Sequence, residues 1–162
     1  MGLRYNIYIL QKGENVMKKM NNKGFSLVEL IVVVLIMAII AVALAPQVMK
    51  WVENSRKSND IENYNAIVEA ANVAGTNEDV IKDIGNSGTV TIKFGETGVS
   101  MSGSGNATLQ AQMIKTLPDL TGTETQSSWA GSDNQPPFEL TVNVTKEGIK
   151  VTKTKAPEKD FS

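Results

Sequence analysis

From Leu30 to Ala45 the chain reads LIVVVLIMAIIAVALA, a stretch without one polar side chain. Extending it to Phe25 and Met49 adds only Ser26, Glu29, Pro46 and Gln47 as interruptions. As an α-helix, Phe25–Met49 would be roughly 37 Å long at about 1.5 Å per residue. That length covers a hydrocarbon core of about 30 Å. A core helix of a globular domain is rarely so long or so uniformly apolar, because one of its faces normally meets water. The run therefore predicts a membrane-inserted helix and leaves the globular fold to the residues after it. Lys18, Lys19 and Lys23 precede the run, with Arg4 and Lys12 further upstream and only Glu14 opposing them. Lys50, Arg56 and Lys57 follow it, partly offset by Glu53 and Asp60. The bias of positive charge places the N-terminus in the cytoplasm and the remainder of the chain outside.

The 162 residues allow one small domain beside this appendage. The sequence contains no cysteine and no histidine. It thus lacks disulfides, thiolate nucleophiles, the commonest general base and the commonest zinc ligand, which disfavours most hydrolase and metalloenzyme readings. A net charge of −1 gives nucleic-acid binding no support from the total charge. We expect no enzyme, no cofactor, no metal and no direct nucleic-acid partner. Ser102–Asn106 (SGSGN) lacks the lysine of a phosphate-binding loop, and Ser132-Asp133-Asn134 has too few carboxylates for a calcium loop. Both read as linkers.

A basic stretch before an apolar run fits three kinds of segment. A secretory signal has a shorter apolar region and a small-residue cleavage site. Ala43-Leu44-Ala45 fits such a site only loosely, and Pro46 would follow the cut, where its fixed φ and missing N–H are unfavourable. A plain signal anchor explains the length but not the order Lys23-Gly24-Phe25-Ser26-Leu27-Val28-Glu29-Leu30 (KGFSLVEL). That octet, followed by the apolar run, resembles the class III signal of type IV pilins and pseudopilins over roughly residues 18–74.

The resemblance implies an α+β, type IV pilin-like fold, with a long N-terminal helix packed on a small antiparallel sheet. It implies that prepilin peptidase cuts between Gly24 and Phe25 and methylates the new amine, and that Glu29 is the assembly residue. Pro46 falls where many members carry a helix proline. The implied organisation is a leader over residues 1–24, a transmembrane and polymerisation helix over 25–49 and an exported head over 50–162. The implied function is the structural subunit of a pilus-like filament. A pseudopilin of a secretion or DNA-uptake machine shares these features, and a single-pass anchored binding protein is the reading from another class. The implied partners are copies of the same chain, prepilin peptidase and the assembly machinery of the inner membrane. The chain would reside in the cell membrane before assembly and at the cell surface afterwards. The lack of cysteine departs from the C-terminal disulfide of many Gram-negative members.

Elementary electrostatics gives these residues a rationale. A carboxylate within a bilayer-spanning helix costs about 2.5–3.5 kcal/mol at the helix centre on insertion scales. Near the end of the run Glu29 pays less, but it still needs a cation once helices pack together. Cleavage after Gly24 supplies one, an α-amine with an ordinary pKa of about 8. Between two chains shifted axially, the amine of one can meet the carboxylate of the other, and the helix dipole favours a negative charge in the first turns. Before cleavage, Lys18, Lys19 and Lys23 hold the helix end in the cytoplasm. Gly24, without Cβ, fits a narrow peptidase site. Pro46 removes one helical hydrogen bond and crowds the carbonyl of Val42, which predicts a kink.

Met17 opens the short basic leader MKKMNNKG and reads as the true start. The codons for Lys12-Gly13-Glu14-Asn15 can contain AGGAG, a bacterial ribosome-binding sequence, just upstream. Removing residues 1–24 takes away five of 16 basic residues and one of 17 acidic ones, leaving 11 against 16, a net of −5. An acidic surface favours solubility outside the cell.

Beyond Pro46 the helix is predicted to continue to Ala74, with Ile61, Tyr64, Ile67, Val68, Ala71 and Ala74 on an apolar stripe and Ser55–Asp60 (SRKSND) as a weak point, polar all round. Gly75 ends it. Thr76 and Asp79 open a short helix ending near Gly85. Thr89–Phe94 and Val99–Ser102 form a hairpin, Ala107–Leu117 a helix stopped by Pro118, and Phe138–Val151 a second hairpin. Thr121–Pro137 is expected to be an exposed loop, and Lys153–Ser162 a frayed end. Trp51 reads as an interfacial anchor and Trp129 as a loop or core aromatic.

Overall fold

The computed structural model describes residues 25–85, 88–129, 135–145 and 148–158. The leader, with Lys18, Lys19, Lys23 and Gly24, lies outside the described residues, as do Ser132–Asn134, Lys146-Glu147 and the last four residues. The elements are α1 (Leu27–Gly75), α2 (Glu78–Ile84), β1 (Thr89–Gly95), β2 (Gly98–Gly103), α3 (Asn106–Thr116), a 3-10 turn (Leu120–Gly122), β3 (Phe138–Thr145) and β4 (Gly148–Lys155). This is the expected α+β architecture, a long N-terminal helix with an antiparallel sheet. The chain divides after Val42 into two units.

In the first unit every described side chain is exposed. Large apolar residues from Leu27 to Val42 have roughly half or more of their surface open. The most apolar stretch of α1 has a mean hydropathy of 3.2 and none of it is buried within the fold. Monomeric soluble proteins expose contiguous apolar patches of only about 300–600 Å². A helix apolar on all sides and covered by nothing calls for lipid or other helices around it.

The second unit holds the core. β1 lies between β2 and β3, and β3 between β1 and β4, all pairs antiparallel. The alternation of TVTIKF and FELTV sends Val90, Ile92 and Phe94, and Phe138, Leu140 and Val142, to one face. The register sets them directly opposite one another, as Val90–Val142, Ile92–Leu140 and Phe94–Phe138. Six fully buried side chains in three facing pairs make the centre of the sheet. Against them α1 buries Tyr64, Ile67, Ala70, Ala71 and Ala74, spaced as one helical face. The three alanines let the backbones approach. Gly75 continues that stripe, where an added Cβ would lie 2.9 Å from Cγ2 of Ile149. Val80 and Ile84 of α2, Leu109 and Met113 of α3, and Leu120 close the rest of the core.

Several local expectations are corrected. Asn77, not Thr76, caps α2, its side chain accepting from the Asp79 N–H at 2.9 Å. Thr76 turns its hydroxyl back to donate to the Val73 carbonyl at 2.8 Å, completing the end of α1. Ser102-Gly103 belongs to β2 instead of a linker. Gly103 has φ 120°, and a Cβ there would meet the Thr89 carbonyl oxygen at 2.2 Å, so the strand passes only with glycine. Lys153–Lys155 do not fray. They pair with β3 across a register shift at Glu139/Leu140, because one more backbone ladder is available there. The segment expected as an exposed loop is partly interior, since Thr125, Ser127 and Trp129 are buried.

Candidate functional site

Two features of α1 carry chemistry. The first is its N-terminal end. Ser26 precedes the helix, and its carbonyl accepts the first helical hydrogen bond from Leu30 at 3.1 Å. Glu29, three residues later, folds back so that Oε2 accepts from the Ser26 backbone N–H at 3.2 Å. This is half of a capping box, in which a first-turn carboxylate satisfies a backbone donor that the helix cannot reach. It also sets negative charge at the positive end of the helix dipole. The S-x-x-E spacing was present in the octet as a signal for this contact. Phe25 is exposed beside it. Phe25, Ser26 and Glu29 thus lie together at the start of the helix, with the acid turned back to the Ser26 N–H. The helix runs through Pro46 without interruption.

The second feature was misread in the sequence as a weak point. Glu53, Lys57 and Asp60 are spaced i, i+4 and i+7, which sets them in one line along α1. All three engage Gln126–Trp129. Asp60 is fully buried. Its Oδ1 accepts from the Gln126 N–H at 2.8 Å, and its Oδ2 from the Ser127 N–H at 3.0 Å, the Trp129 Nε1–H at 2.9 Å and the Ser127 hydroxyl. About two turns earlier, Glu53 Oε1 accepts from the Ser128 N–H at 2.8 Å and its hydroxyl at 3.1 Å. Two carboxylates therefore take up three successive backbone donors. Charge-assisted bonds of this kind are about twice as strong as neutral ones. A buried carboxylate is tolerated because its lone pairs are filled.

Between the two acids, the Lys57 ammonium lies 5.6 Å from the centre of the Trp129 ring. The indole packs edge-on against Phe138, with centroids 5.1 Å apart. Trp129 has φ 46°, an uncommon conformation for a bulky residue, held here by Asp60 on one side and Phe138 on the other. We call this arrangement the clasp. The i, i+4, i+7 spacing of opposite charges was legible, but its partner loop was not.

Beside the clasp an open groove is lined by Val48, Met49, Lys50, Val52, Glu53, Arg56 and Ser128. Its lining combines apolar Val48, Met49 and Val52 with charged Lys50, Glu53 and Arg56. Further along α1, Tyr64 is buried and donates its hydroxyl to the Glu139 carbonyl at 3.2 Å. Loss of water around the ring raises its pKa above the ordinary 10.0. Among the described residues, no group of three or more Asp, Glu, His or Cys side chains is placed to hold a metal ion.

Residues 19–45 match the family model of the prokaryotic N-terminal methylation motif. The match spans Lys19, Lys23, Gly24, Phe25 and Glu29 and runs to the end of the apolar stretch. No curated protein and no solved structure matches the chain significantly.

Proposed function

We propose that this chain, which carries the N-terminal methylation motif of type IV pilins and pseudopilins, is the structural subunit of a type IV pilus-like filament. The observation that carries the reading is the union of that motif with a helix whose apolar surface is left uncovered on all sides. Prepilin peptidase would remove residues 1–24 between Gly24 and Phe25 and methylate the amine of Phe25. Until then, Lys18, Lys19 and Lys23 keep the helix end at the cytoplasmic side, and the helix over 25–49 anchors the chain in the membrane. After cleavage the new amine of one chain pairs with Glu29 of a neighbour shifted along the axis. The capping contact with the Ser26 N–H supports this role, since it holds the carboxylate beside the end that cleavage creates.

Each chain adds through the same surface, and a heterologous contact of that kind propagates into a helical polymer. Lipid is exchanged for neighbouring helices, and residues 50–162 form the outward head. At Pro46 a lost hydrogen bond gives the helix a place to bend or unwind. Mass spectrometry of filaments sheared from cells tests the proposal. The expected subunit begins at methylated Phe25; filaments built of chains that retain the basic leader would overturn it.

A further inference from the structure

Lys and Arg concentrate on the cytoplasmic side of a membrane-spanning helix. α1 nevertheless carries Lys50 and Arg56 just past Met49, where its apolar run ends on the outer side. Both side chains are exposed. Among the described residues neither has an ion pair or a hydrogen-bonding partner, whereas Lys57 is taken up over the Trp129 ring. Both line the groove beside the clasp. Its volume of about 490 Å³ falls within the range of about 300–1,000 Å³ usual for small-ligand sites.

The lining has a direction along α1. Val48, Met49 and Val52 come first, next to the apolar run, and Arg56 follows Val52 by four residues, about 6 Å further along the axis. The alkyl stem of Lys50 can lie on apolar surface and lift its charge the same way. Trp51, 61% exposed among these residues, is the kind of side chain that settles at the level of lipid headgroups. A lipid of the outer leaflet has the same order, acyl carbons toward the membrane and a polar head away from it. The acid in the lining is Glu53, whose Oε1 already accepts two hydrogen bonds from Ser128. Lys50 and Arg56 against Glu53 leave the groove with a net charge of +1. A soluble anion would use the cations and leave Met49, 72% exposed, in water. An apolar helix would cover Met49 and strip water from two cations without supplying a counter-ion.

We infer that the groove holds an anionic phospholipid of the outer leaflet while the chain resides in the membrane, its phosphate paired with Lys50 and Arg56 and the upper part of an acyl chain on Val48, Met49 and Val52. The bound lipid steadies the head at the membrane surface and is shed when the helix leaves the bilayer. This site rests on the membrane stage of the proposed function and not on polymerisation.

Native mass spectrometry of the full-length chain, released from nanodiscs of equal parts phosphatidylglycerol and phosphatidylcholine, tests the site. The parent should retain phosphatidylglycerol in preference to phosphatidylcholine. Lys50→Gln combined with Arg56→Gln should lower that retention by about tenfold or more, since each basic side chain near an anionic surface changes affinity by about fivefold. Its melting in detergent should match the parent's, because neither cation has a partner in the fold. Lys150→Gln combined with Lys155→Gln, which removes the same charge from β4, should leave retention unchanged. The cysteine-free sequence allows a local readout. Val52→Cys should react with a water-soluble maleimide several-fold more slowly in phosphatidylglycerol discs than in phosphatidylcholine discs, and Ser58→Cys, outside the groove, should react alike in both. Equal retention of the two lipids, undiminished retention in the Lys50/Arg56 variant, or no protection of Val52→Cys overturns the site. Equal protection by soluble glycerol phosphate would overturn it in favour of a simple anion site, and protection that follows chain concentration instead of lipid would assign the groove to a second copy. A chain that fails to enter the discs would instead overturn the membrane reading itself.

Discussion

Replacing Asp60 by alanine probes the clasp at its centre. The carboxylate is fully buried and accepts four hydrogen bonds, from the Gln126 and Ser127 amides, the Ser127 hydroxyl and the Trp129 indole. Gln126 is exposed, so water can replace its lost partner. Ser127 and Trp129 are buried, and their N–H groups would be left without one. Each stranded donor costs about 1–3 kcal/mol. The hydroxyl can turn to another acceptor and contributes less. The whole substitution should therefore destabilise the head by about 3–5 kcal/mol, the range seen when one side of a buried charged contact is removed. For a unit of this size that corresponds to a fall in Tm of about 10 °C or more. Asp60→Asn retains the shape and one acceptor but turns an NH2 toward other donors, so its cost should lie between the parent and the alanine variant. The assay is thermal unfolding of the full chain in detergent, followed by tryptophan fluorescence in a Trp51→Phe background, so that Trp129 alone reports. Its emission should also shift to the red as the indole meets water. An Asp60→Ala loss below about 1 kcal/mol would refute the clasp as a stabilising device.

Other consequences are equally open to measurement. Glu29→Ala should be cleaved and methylated normally yet yield no filaments. Glu29→Gln can still accept from the Ser26 N–H but has no charge, so recovery of filaments with Gln would show that capping, and not an ion pair, is what assembly needs. Tyr64 binds its proton more tightly when folded than when unfolded, because burial raises its pKa. Below pH 10 the phenol is neutral in both states and contributes no pH dependence. Above it the unfolded chain ionises first, so stability should fall as pH rises past about 10, and Tyr64→Phe should flatten that slope in chemical unfolding curves. Gly103→Val should cost at least about 2 kcal/mol, through the positive φ and the collision with the Thr89 carbonyl; loss of the β1–β2 amides from slow hydrogen exchange would report it.

Local pattern alone was enough to place α1, the first hairpin and α3 within a residue or two, since hydrophobic period and turn residues act over short distances; it found the second hairpin but stopped its last strand at Val151, four residues short of Lys155. It also placed the apolar helix outside any globular core: no arrangement of so small a head could cover a helix apolar on every side. The role proposed for Glu29 rests on the octet that carries the resemblance and on its place four residues after Phe25 at the edge of that helix, and the Ser26 capping contact adds only detail. Tertiary structure decided what the polar residues do. Ser55–Asp60 has no apolar period and reads as the weakest part of α1, yet Asp60 is its most buried position, because residues 126–129 arrive with donors for it. Nothing local announces that meeting across 66 residues of chain. For the same reason Ser127 reads as loop and is core, while Trp129, which the sequence leaves open as a loop or core aromatic, is core. An apolar side chain declares its burial by its own chemistry; a buried carboxylate depends on partners that only the fold brings to it.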